Sequence, residues 1–128
     1  MRRYLIGLTA LFALAVVTPV SAQSDSGHGF YTGNALMRLC KNTDRTESTP
    51  DFASYSECVA FLSGVIDTYG MLMNLEAIPK AVCSPVKVTQ EQLRQVFLKY
   101  MNSNPEKWHH AAASHAIVAF AMEWPCKE

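Results

Sequence analysis

Four cysteines, Cys40, Cys58, Cys83 and Cys126, limit what this chain can fold into more than any other feature. The gaps of 17, 24 and 42 residues between them contain no close Cys-x-x-Cys pair, which argues against a zinc knuckle and a thioredoxin-like redox pair. In an exported small domain an even number of cysteines is read as disulfides, here two. The N-terminus carries the mark of export. Arg2 and Arg3 precede an uncharged run from Tyr4 to Val17, followed by Thr18, Pro19 and the small residues Val20-Ser21-Ala22. That run is shorter than the roughly 20 residues a bilayer core requires. Residues 1–22 are therefore expected to be a signal peptide cleaved after Ala22.

Cleavage would leave residues 23–128, enough for one compact domain with its own core and too few for two. Without Arg2 and Arg3, nine basic side chains stand against eleven acidic ones, with no basic run. Nucleic acid is not an expected partner for such a surface, nor, after cleavage, is a membrane.

The mature chain reads as all-α. Residues 23–30, QSDSGHGF, form a polar, unpacked start, after which Leu36, Met37, Leu39 and Cys40 give a short amphipathic helix over 35–41 with Asn34 as its N-cap. The stretch KNTDRTESTP has no large apolar side chain and reads as a solvent loop. Thr49 and Pro50 open a long helix as N-cap and first residue. Phe52, Tyr55, Cys58, Val59, Leu62, Val65, Ile66, Tyr69, Leu72 and Met73 then follow at steps of three and four. Pro79 and Pro85 interrupt the period, so LEAIPKAVCSPVKV is a connection across the domain. Thr89 and Gln92 form a capping box for a helix over 90–102, and Asn104 and Pro105 are expected to open a last helix over 105–123. With no alternating strand pattern, the expected fold is a small antiparallel bundle of four main helices with two disulfides.

Helix hairpins bring together residues equally distant from their turns. Cys83 and Cys126 lie equally far from the turn between Asn104 and Pro105, and Cys40 can fold back onto Cys58 across the polar loop. The expected pairs are Cys40 with Cys58 and Cys83 with Cys126.

Catalytic and metal chemistry find little support. His109, His110 and His115 are one, five and six residues apart, whereas ligands on one helical face should be three or four apart. No HExxH or G-x-S-x-G motif is present, and Ser114-His115 on a helix is not a catalytic set. Glu57 and Asp67 stand about 15 Å apart along one helix, too far for a paired-carboxylate site. No catalytic residue, metal ligand or cofactor is therefore assigned, and an enzyme is not expected. Gly64, in the middle of the long helix, costs about 1 kcal/mol relative to alanine, so close approach of another helix is expected there. Asp67 is read either as a solvated charge or as a buried, partnered one.

The succession TGNALMRLC, CVAFLSGVIDTYG, CSPVKVTQEQLRQVFLKYMNSNPE and a terminal WPC resembles the Rap/Tai family of exported bacterial proteins, over about residues 30–126. Its most specific parts are Gly64-Val65-x-Asp67, Cys83-x-Pro85 through Thr89-x-x-Gln92-Leu93, and Pro125-Cys126. The family includes immunity proteins against type VI secretion amidase effectors. The resemblance implies a periplasmic, disulfide-containing helical protein that binds a secreted peptidoglycan amidase and blocks its cleft, and in many members a homodimer.

A blocking protein requires protruding polar surface. The loop with Asp44, Arg45 and Glu47, and the turn with Asn104 and Glu106, are the protrusions the sequence offers as partner-binding candidates. Two other functions stay open on the sequence: a periplasmic acid-stress chaperone of the small helical HdeA type, triggered by carboxylate or histidine titration, and an envelope-associated helical domain with no toxin partner.

Overall fold

The computed structural model describes residues 29–41 and 50–127. Four α-helices occupy them: α1 (Gly33–Lys41), α2 (Pro50–Asn74), α3 (Gln90–Asn102) and α4 (Ala112–Glu123), with a 3-10 turn at Pro105–Lys107. There is no strand among the described residues, only two isolated antiparallel bridges, Thr32 to Ala111 and Val82 to Pro125. Every α-helix packs on the other three. At their common centre Leu36, Cys40, Leu62, Phe97, Met101 and Phe120 are completely shielded from solvent.

The short α1 is held less by its own propensity than by the chain it docks against. Leu36, Met37 and Cys40 bury one stripe. The amides of Gly33 and Asn34 donate to the carbonyls of His110 and Trp108, each at 2.8 Å. The helix starts earlier than the sequence suggests, and the Thr32 hydroxyl, not Asn34, accepts from an amide of the first turn, that of Ala35 at 3.3 Å. Glycine is required at 33: a Cβ there would lie 2.9 Å from the Trp108 carbonyl oxygen.

Pro50 opens α2 as expected; its expected cap, Thr49, lies outside the described residues. The helix ends in a Schellman motif, in which the Ala77 amide donates to Leu72 O and the Glu76 amide to Met73 O, both at 3.0 Å. The left-handed position in that motif is Glu76, with φ 55°, where glycine is the usual residue. The proline-rich connection then crosses the domain. Tyr69 clamps it, donating from its hydroxyl to Pro79 O at 2.9 Å and accepting from the Ala81 amide at 3.2 Å. The capping box of α3 forms as read: Thr89 Oγ1 accepts from the Gln92 amide at 3.2 Å and Gln92 Oε1 from the Thr89 amide at 2.8 Å.

The expected single helix over 105–123 does not form. Asn104 does not cap amides; its side chain donates back to Tyr100 O at 2.8 Å and accepts from Lys107 Nζ at 3.0 Å. The Trp108 indole donates to Met101 O at 2.6 Å, turning the chain across the end of α3. Carbonyls at 108 and 110, which a continuous helix would use internally, instead serve the start of α1. Ala112 donates to Tyr31 O at 2.8 Å, so α4 begins only there.

Both expected disulfides are present. Cys40–Cys58 joins α1 to α2 inside the core with Cα atoms 5.1 Å apart, and Cys83–Cys126 ties the connection to the chain end with Cα atoms 4.8 Å apart. The Cys83 amide also donates to Trp124 O at 2.8 Å, so a backbone bond reinforces the second link.

Candidate partner-binding surface

The chemistry inside the fold holds it together. Arg94 of α3 is buried, with its guanidinium bidentate on Glu91 at 3.0 and 2.7 Å. Its Nη1 donates to the Cys40 carbonyl at the end of α1, and the group lies 5.8 Å from the Tyr55 ring of α2. Tyr55 also donates to Glu91 at 3.2 Å. Hydrogen bonds from Arg94 foremost, then Gln95 and Tyr55, outweigh partial burial and hold the Glu91 carboxyl at about 2. Glu91 in turn pushes the Arg94 guanidinium upward. One buried cation thus joins three helices beside the Cys40–Cys58 link.

The histidines divide into two kinds. His109 and His110 are exposed with their rings 4.0 Å apart, whereas His115 is buried with Nε2 2.8 Å from Lys107 O. Burial, with smaller contributions from the charges of His110, Lys107 and His109, pushes the His115 pKa down. Its neutral ring bridges α4 to the turn that receives α1. Among the described residues no group of three His, Cys, Asp or Glu side chains could hold a metal ion. All four cysteines are oxidised, leaving no thiol nucleophile. Ser114 is exposed while His115 is buried, so this adjacent pair forms no nucleophile and base.

The partner-binding candidates lie on the surface. Asp44, Arg45 and Glu47 lie outside the described residues. Asn104 and Glu106 sit on the turn after α3. Asn104 is half-buried and engaged with Tyr100 and Lys107, while Glu106 is exposed, with its carboxylate 3.9 Å from Lys107 Nζ. Glu106 is thus the freer of the two to meet a partner.

Two grooves flank α2. One, of about 530 Å³, runs between α2 and α4 and is lined by Phe61, Gly64, Val65, Thr68, Leu72 and Ile117 among others. No described helix makes the expected approach to Gly64: among the described residues no atom outside its own helical backbone and chain neighbours lies within 4 Å of where its Cβ would stand. The other groove, about 840 Å³, lies between the C-terminal half of α2 and residues 84–90 and includes Asp67, Met71, Leu75 and Val86. Asp67 is exposed, which decides between its two readings. The expected stripe of α2 passes over Met71, but an apolar residue off the stripe does not by itself mark a groove. The signal that was there is the absence of any lysine or arginine along the 25 residues of α2, which leaves its outer face without the usual basic cover.

The family model for Rap1a immunity proteins matches residues 32–126, which takes in all four helices and both disulfides. No curated protein and no solved structure matches the chain. A match over most of the chain, spanning the whole helical scaffold, identifies the chain as a member of the Rap1a immunity protein family, proteins that protect against a toxin.

Proposed function

We propose that this protein acts in the periplasm, after removal of residues 1–22, by binding and inhibiting a peptidoglycan amidase delivered by a type VI secretion system. It is not an enzyme in this reading. It protects by occupying the toxin stoichiometrically, and a homodimer presents two such surfaces. The observation that carries the reading is the family match over residues 32–126. The scaffold supports it in physical terms. Two disulfides and a buried Arg94 network fix the helices before any encounter, so little conformational entropy is lost on binding. Disulfides also suit an oxidising compartment, where a cell-wall amidase would act.

Co-expression with an exported amidase tests the proposal. Cells that make the amidase in the periplasm should lyse. The full chain should rescue them, and a chain lacking residues 1–22 should not. Lysis in the presence of correctly exported, oxidised protein would refute the amidase reading, and rescue by the leaderless form would refute the periplasmic one.

A further inference from the structure

The C-terminal half of α2 carries an apolar face that none of the described residues covers. Six large hydrophobic side chains are exposed among the described residues, and three of them, Met71, Leu75 and Val86, line the same groove of about 840 Å³. Met71 is 54% and Leu75 68% exposed, and Val86 is fully so. Exposed apolar side chains gathered on one groove mark an interaction site in a way that scattered ones do not.

The groove has one charge. Asp67 and Met71 are four residues apart on α2, and Leu75, four further on, stands directly after its last residue, so the three continue one line along the groove. Asp67 is the one charged side chain of the lining, and it has no hydrogen-bond or ion-pair partner within the described residues. Glu76, directly after Leu75, adds a second exposed carboxylate, held in the left-handed conformation that closes α2.

We propose that this groove is the docking site for an apolar segment of the toxin partner that carries a lysine or arginine. The segment's hydrophobic side chains enter between Met71, Leu75 and Val86, and its cation meets Asp67. The inference rests on the reading that the partner is an amidase toxin. Charge complementarity selects this occupant over a second copy of the chain. Two copies joined groove to groove would set each Asp67 against a lining with no cation, which disfavours the pair.

Titration calorimetry of the mature, oxidised chain against the purified amidase whose toxicity it relieves in co-expression, at low and high salt, tests the proposal. Asp67→Lys and Leu75→Asp should each weaken binding by about 100-fold. Asp67→Asn should weaken it by about 10-fold and flatten its salt dependence, while Asp67→Glu should retain it. All four should unfold at the wild-type temperature, because Asp67 and Leu75 are exposed. If the wild type binds and Asp67→Lys and Leu75→Asp bind as tightly, the groove is not the site, although the amidase reading stands. If the wild type binds no amidase, both fall. If the two variants instead turn a dimer into a monomer in gel filtration with amidase affinity unchanged, a second copy occupies the groove and the proposal is overturned.

Discussion

The two ends of α2 are built on opposite terms. Near its N-terminus Tyr55 and Cys58 belong to a closed system: Cys58 is bonded to Cys40, and Arg94 spends its donors on Glu91 and the Cys40 carbonyl. Near its C-terminus Asp67 has no partner among the described residues, Met71 and Leu75 face solvent, and the helix closes on a non-glycine residue in the left-handed region. The first end is satisfied within the chain. The second has apolar area and charge that the monomer does not use. Stability should therefore reside at one end of α2 and recognition at the other, and substitutions can break that division.

The largest loss should come from the closed end. Replacing Cys40 and Cys58 with serine removes a link of sequence separation 18, worth about 3 kcal/mol by loop entropy. It also places two hydroxyls at sites with no solvent exposure, so a total of about 4 kcal/mol is expected from urea unfolding. Arg94→Met should follow at about 2–3 kcal/mol, because it leaves the Cys40 carbonyl without its charged donor, while the partly exposed Glu91 recovers water.

Smaller effects of opposite sign should appear toward the open end. Gly64→Ala should raise stability by about 1 kcal/mol, since the added methyl meets nothing in the fold and alanine is the better helix former. Glu76→Gly should raise it by about 0.5–1 kcal/mol by relieving the left-handed conformation. Met71→Ser and Leu75→Ser should change it by less than about 0.5 kcal/mol. A large loss in either serine variant would show that the open end is structural after all.

The same division sets the pH response. The folded Glu91 carboxyl, at about 2 against an ordinary 4.5, favours the folded state when ionised. Its stabilisation is complete above about 4.5 and is lost as pH falls from there toward 2. His115 has the opposite charge and the same direction of loss. Its folded pKa lies below the ordinary 6.5, so the fold prefers the neutral ring, and stability declines as pH falls through 6.5. Thermal melts across pH should show both declines. His115→Gln should remove the upper one and Glu91→Gln the lower.

The sequence shows the bundle well where local chemistry decides it. The three-and-four spacing of α2, the Thr89–Gln92 capping box and both cysteine pairs are legible because each depends on residues near in sequence or on hairpin symmetry. The expected helix over 105–123 fails for the complementary reason. Asn104-Pro105 is a good local start, but the carbonyls at 108 and 110 are claimed by α1, some seventy-five residues earlier in the chain. Arg94 is hidden in the same way, since nothing in its neighbourhood announces a bond to Cys40. The site is the least legible part. Met71 falls outside the expected apolar stripe of α2, and Leu75 and Val86 fall in the expected connection, but nothing local shows that the three meet on one groove.

Inhibition itself gives the most direct test. Purified amidase acting on peptidoglycan should lose activity in proportion to added mature, oxidised protein and reach full inhibition at one chain per enzyme. Undiminished cleavage at a large molar excess of folded protein would contradict the account.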